Sequence, residues 1–189
     1  LAKLGMHSPT LASSPGLPDE APRLLILGFH RVASALVSEL ERSHRALLAR
    51  TVIVDSNVAI HDAIRQRGIA VVYGNAGNID TLRHARAEEA EVVIATVPDE
   101  LLKETTNAAI ARAVRELNPR AVIIAVASRA AAVEPLRLAG ADHCVVMASE
   151  AAEGLLSALR AALNDGFASY LATQAERQGT LSAREEILT

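Results

Sequence analysis

Apolar and polar positions along the chain fall into two alternating regimes. Short runs that are almost wholly apolar recur at Leu24–Leu27, Val52–Val54, Ala70–Tyr73, Val92–Ala95, Ala121–Ile124 and Cys144–Val146. No polar residue alternates within them, which is how strands covered on both faces of a parallel sheet read. Between the runs, apolar residues return at spacings of three and four, as in Val32, Leu36, Val37 and Leu40, and again in Ala109, Ile110, Ala113, Val114 and Leu117. That spacing places them along one face of a helix. Strand and helix therefore alternate, which predicts a doubly wound α/β fold. Six strands within about 125 residues predict a Rossmann-like parallel sheet in the order 3-2-1-4-5-6, with helices on both faces.

The pattern fails at both ends. Residues 1–22 hold four of the seven prolines, Pro9, Pro15, Pro18 and Pro22, among Ser and Gly, and show no helical or strand period. This is the composition of a linker. The Rossmann-like unit is expected over 23–165. A helix rich in Ala and Leu spans Ala151 to Leu163 and meets a stop signal at Asn164-Asp165-Gly166. Residues 166–189 read as a further helix or a flexible tail. Ala108, Ala109, Ala111 and Ala113 make the Thr105–Leu117 helix small-sided, suited either to packing on the sheet or to a partner subunit.

Composition narrows the chemistry. At 189 residues the chain suits one domain with tails, and 50% hydrophobic residues are enough for a core. Aromatic residues are only 2%, and net charge is −3. A stacking platform and a basic stripe are both missing, which excludes a nucleic-acid partner. The six histidines lack metal-ligand spacing, so no metal site is expected. The lone Cys144 allows no internal disulfide and is expected to be buried and inert. No apolar run approaches a membrane span. The chain opens on Leu1, and with the linker behind it this start reads as the cut edge of a longer protein.

The first strand ends in Gly28-Phe29-His30-Arg31-Val32-Ala33, where a dinucleotide fold carries G-x-G-x-x-G. Gly28 supplies the tight turn, Ala33 replaces the third glycine conservatively, and His30 stands where a pyrophosphate approaches the backbone. The following helix N-terminus offers free N–H groups to an anion, with Arg31 beside it. Asp55-Ser56 closes the second strand, 22 positions after Ala33. That is near the interval of a carboxylate that takes ribose hydroxyls, and it disfavours a 2′-phosphate. The alternative for Asp55 is a cap on the next helix. Gly74-Asn75-Ala76 ends the third strand, beside the expected adenine position. Thr96, before Val97 and Pro98, ends the fourth, where it either faces the Gly28 turn across the sheet's switch point or caps the next helix.

Taken in order, these stretches resemble a known family. Leu27–Ala33, Val54-Asp55, Tyr73–Ala76 with Leu82, Ala95–Asp99, Thr106-Asn107, Asn118-Pro119 and Leu138–His143 together look like the regulator-of-potassium-conductance domain, also called the Trk-type nucleotide-binding domain. Within it, the likeness is to the cytosolic domains of Kef-type cation/proton antiporters. The resemblance implies a non-enzymatic regulatory domain that binds NAD(H) or an adenine nucleotide (AMP, ADP or ATP) and pairs as a homodimer. It implies ligand contacts at Gly28, Phe29, His30, Arg31, Val32, Asp55, Ser56, Asn75, Ala76, Thr96 and Pro98. It also implies a transmembrane transporter domain upstream of Leu1, moving K+ or Na+ against protons, and a place at the cytoplasmic face of the bacterial inner membrane. The chain departs from the family pattern at His30 (usually Gly), Asn75 (usually Asp) and Val126 (usually Arg). Two other readings follow: a dimerisation scaffold with a lapsed pocket, or a fragment of an NAD-dependent oxidoreductase. The last lacks a Tyr-x-x-x-Lys pair, since the only lysines are Lys3 and Lys103.

Overall fold

The computed structural model describes residues 16–102, 105–164, 166–182 and 187–188. Six strands form one parallel sheet in the order β3-β2-β1-β4-β5-β6. They are β1 (Leu24–Leu27), β2 (Thr51–Asp55), β3 (Ala70–Tyr73), β4 (Val92–Ala95), β5 (Val122–Ala127) and β6 (His143–Val146). The helices are α1 (Arg31–Ser43), α2 (Arg45–Leu48), α3 (His61–Gln66), α4 (Ile79–His84), α5 (Asn107–Leu117), α6 (Val133–Leu138), α7 (Met147–Leu163) and α8 (Phe167–Ser182). The doubly wound expectation and its strand order therefore hold.

The all-apolar strands work because side chains alternate between faces and each face meets a layer of helices. Leu25 and Leu27 of β1 join a cluster with Leu82 of α4 and with Ile110 and Val114 of α5. Leu24 and Ile26 point the other way, to Val37 and Leu40 of α1 and Ile64 of α3. β1 lies between β2 and β4, with Leu27 opposite Val54 and Ala95. The carboxyl ends of all three strands thus converge at the switch point of the sheet.

Element ends differ from expectation where side chains bond the backbone. α5 starts at Asn107 rather than Thr105, because Thr106 is its cap and accepts the Ala109 N–H at 3.1 Å. The fifth strand starts at Val122 because Asn118 takes Ala121 out of the ladder. Its Oδ1 accepts the Arg120 and Ala121 N–H groups, while its Nδ2 donates to the carbonyls of Ala87 and Ala90. α7 begins at Met147, four residues earlier than expected.

Residues 1–15 of the expected linker lie outside the described residues. Residues 16–22 lie along the base of the sheet, with Pro22 buried and Leu17 packed on the core. Arg86 donates to the carbonyls of Pro18 and Glu20, and Arg50 to that of Ala21. At the other end of the chain, α8 spans Phe167–Ser182, and the Leu188 N–H donates to Ser34 Oγ on α1. Among the described residues no helix is long and apolar enough to cross a membrane.

Candidate functional site

The carboxyl ends of β1, β2 and β3 open onto a cavity of about 450 Å³, within the range of roughly 300–1,000 Å³ typical of small-molecule sites. Its first wall is the turn after β1. Gly28 has φ +78°, and a Cβ there would lie 2.2 Å from Val97 Cγ2. Both the backbone conformation and the space demand glycine. The turn is held from three sides. Gly28 N–H donates to Val54 O at 2.8 Å, Thr96 Oγ1 donates to Gly28 O at 2.7 Å, and Phe29 N–H donates to Asp55 Oδ2 at 2.6 Å.

His30 is the N-cap of α1. Its backbone is extended, at φ −133° and ψ −170°, so nothing in the chain's path requires glycine at this position. The imidazole makes no capping bond, and the first turn of α1 carries no acidic residue. The helix N-terminus therefore keeps N–H groups uncapped by side chain, with the positive end of its dipole toward the cavity. His30 lines the cavity, so what this residue brings to it is bulk rather than backbone strain. Ala33 is fully buried, and its methyl fills the helix–sheet contact.

Asp55 forms the opposite wall. Its Oδ2 accepts the Phe29 N–H, and its Oδ1 accepts the Asn57 N–H at 2.7 Å. A carboxylate has about four acceptor positions, so two backbone bonds leave room for two hydroxyls. The cap-like and hydroxyl-binding roles of Asp55 are thus compatible. Behind it, Asp55 O accepts from Gly74 N at 3.3 Å and from His61 Nε2 at 3.1 Å. The third wall is Gly74-Asn75-Ala76. Asn75 Oδ1 accepts the Gly77 N–H at 2.8 Å, and a Cβ on Gly74 would meet Thr81 Cγ2 at 2.6 Å.

Of the residues expected at the site, Gly28, Phe29, His30, Asp55, Ser56, Asn75 and Ala76 line the cavity together. Arg31, Val32, Thr96 and Pro98 are not among its lining residues. Arg31 is exposed, whereas Thr96 is fully buried. Thr96 meets the Gly28 turn as the strand order demanded, but as the bond that holds the turn. It caps no helix. Val97, Leu101 and Leu102 also line the cavity, and the sequence reading passed over them. Their signal was topological, since any residue just past β4 lies beside the end of β1.

Arg129 does not reach the cavity and pairs with Glu100 at 3.7 Å. Ser128 donates to Glu100 Oε2, and this bond first, then a backbone hydrogen bond at Glu100 and last the charge of Arg129, hold the Glu100 carboxyl below its ordinary range. Cys144 is only half-buried, and burial pushes its thiol up. No cluster able to hold a metal occurs among the described residues. A larger cavity, about 880 Å³, lies at the amino ends of β1 and β4 between α1 and α2. Its one carboxylate, Glu91, is already paired with Arg23 at 3.0 Å, and the helix that starts there, α2, is only four residues long.

The chain is similar to known proteins in sequence and fold. A family model described as the TrkA-N domain matches residues 24–147. The glutathione-regulated potassium-efflux system protein KefC of Enterobacter sp. (strain 638) is 33% identical over 165 residues, which are 84% of this chain and 24% of that protein. The chain thus spans about a quarter of the length of this curated relative. The crystal structure of the TrkA-N domain of inner membrane protein ybaL from Escherichia coli aligns with a TM-score of 0.66 at 29% identity, covering 75% of this chain and 98% of that one. The GsuK channel bound to NAD aligns at 0.58 with 31% identity, covering 72% of this chain and 24% of that one. GsuK bound to ADP aligns at 0.57 with 31% identity, covering 72% and 35%.

Proposed function

The chain belongs to the TrkA-N domain family, and on that premise we propose that it is a regulatory domain that binds an adenine nucleotide or NAD(H) and turns over no substrate. One observation carries this reading. The Asp55 carboxylate, with two acceptor positions left, lines one cavity together with His30, the residue at which the side-chain-uncapped N-terminus of α1 begins. Those are the two groups a nucleotide needs: an acceptor for ribose hydroxyls and a positive helix end for phosphate. Backbone groups at Gly74-Asn75-Ala76 would read the base, and Leu101 and Leu102 would cover it. The ligand would supply no chemistry. Its binding energy would shift a conformational balance. The GsuK structures with NAD and ADP favour this ligand class.

The wider setting is a monovalent cation/proton antiporter, and the likeness to KefC supports it. In this reading a membrane transporter domain precedes Leu1, residues 1–22 tether the domain to it, and the domain works as a homodimer at the cytoplasmic face of the inner membrane. The surface favours pairing. α7 buries none of its residues, and Leu155, Leu159 and Leu163 on it are exposed. Exposed apolar patches of this kind mark interfaces.

The test is thermal denaturation with NAD, NADH, AMP, ADP and ATP in turn. A ligand at ~100 times its dissociation constant adds about 2.7 kcal/mol, and Asp55→Ala abolishes that gain. His30 in the cavity and the apolar, buried Val126 favour a second reading, a scaffold that dimerises without ligand. A melting temperature unmoved by all five nucleotides selects it.

A further inference from the structure

We propose that His61 is a positioning residue that sets the selectivity of the crevice for ribose hydroxyls; this rests on the reading of Asp55 as the ribose carboxylate. His61 opens α3 and is only 2% exposed, one of few buried polar side chains in the fold. Its Nε2–H donates to Asp55 O at 3.1 Å. The imidazole leans on Tyr73, with ring centroids 6.3 Å apart at 58°. Tyr73 is the register partner of Asp55 across β2 and β3. The imidazole is therefore locked by packing against the peptide of Asp55, the carboxylate that lines the crevice.

The need for this lock lies in the end of β2. Asp55 is its last residue, and the ladder bond to its carbonyl from Gly74 N–H is long, at 3.3 Å. A long bond at the very end of a ladder is where a strand frays first, and a carboxylate there moves with its peptide. The Phe29 and Asn57 N–H groups hold the carboxylate from the front, and His61 holds the peptide from behind. An apolar side chain at position 61 would fill the same space without donating to the carbonyl.

The experiment is calorimetric titration of the chain with AMP and with 2′,3′-dideoxy-AMP, in the parent and in His61→Ala, His61→Gln and Asp55→Ala. Losing one hydrogen bond's worth of positioning weakens AMP binding roughly fivefold. The dideoxy analogue has no hydroxyl for Asp55, so His61→Ala leaves its affinity unchanged. His61→Gln puts an amide N–H near the Nε2 position and restores most of the AMP affinity. If His61→Ala does not fold, His61→Asn replaces it, being too short to reach the carbonyl. Equal weakening of both ligands, or no weakening of AMP, in a folded variant overturns the proposal while Asp55→Ala still loses AMP. An Asp55→Ala protein that binds AMP normally, or a parent that binds none of NAD, NADH, AMP, ADP and ATP, overturns the reading of Asp55 and this inference with it; where the parent binds another of the five and not AMP, that nucleotide and its dideoxy form take the place of AMP in the titration.

Discussion

The two halves of the sheet are built from the same kind of sequence and end in different environments. In β1 and β2 every residue from Leu24 to Leu27 and from Thr51 to Val54 is buried, between α1 and α3 on one side and α4 and α5 on the other. In β5 and β6 the second face is closed only in part, at Val126. Ile123, Ala125 and Ala127 reach the core with Cys144 and Val146, while Val122 on the opposite face is 47% exposed and Ile124 and Val145 are half-buried. α7 follows β6 directly and buries nothing. The half that forms the crevice is complete within one chain. The other half presents an apolar sheet face and an apolar helix, each lacking what the other has. An all-apolar strand thus shows that both faces are meant to be covered, without showing by which chain.

The largest test sets a core residue of the first half against a helix residue of the second. Leu82 of α4 is fully buried, and Leu82→Ala removes packed atoms and leaves a cavity, costing about 2–5 kcal/mol. Leu155 of α7 is 73% exposed, so Leu155→Ala changes the stability of the isolated monomer by less than about 0.5 kcal/mol. Urea denaturation measures both. The same Leu155→Ala variant dissociates more readily in sedimentation if α7 meets a second copy. A large loss for Leu155→Ala in dilute monomer would erase the contrast between the halves.

Two glycines sharpen it at the next level. Gly28→Ala forces a Cβ into a left-handed turn and against Val97, which costs at least about 1–3 kcal/mol and closes the anion turn. Gly154, inside α7, has nothing within 4 Å of its would-be Cβ. Gly154→Ala therefore stabilises the monomer by about 0.5–1 kcal/mol, through helix propensity alone. The two substitutions move the melting temperature in opposite directions. If Gly154→Ala destabilises only at high protein concentration, the glycine makes room for a partner helix.

How much of this was legible follows from the same physics. The strands, their order and the Gly28 turn were written in short-range pattern, and so was Asp55, because spacing and topology fix where a strand ends. The share of Thr96 was half legible. Its position facing Gly28 follows from β4 lying beside β1, but its complete burial comes from tertiary packing that no local pattern carries. His61 left no mark at all. It directly follows the Val58–Ile60 3-10 turn, and this ordinary polar residue comes to lie under Asp55 only once β3 supplies Tyr73. Leu101 and Leu102 were hidden for a related reason, since loop residues carry no period to read.

The smallest effect concerns Cys144, on the edge strand β6. Its side chain points to the closed face of β6, with Sγ 3.9 Å from Val133 O, so His143 and Val145 point to the open face. Burial raises its thiol above the ordinary value. The thiolate is the reactive form, so at pH 8 alkylation by iodoacetamide is slower than for a free cysteine, and it accelerates only as pH rises further. The rate reports the closed face alone. If pairing covers the open face, labelling of Cys144 stays constant as protein concentration rises, while a cysteine placed by Val122→Cys becomes protected. Equal protection of both thiols would mean that association closes the whole edge of the sheet rather than the one exposed face.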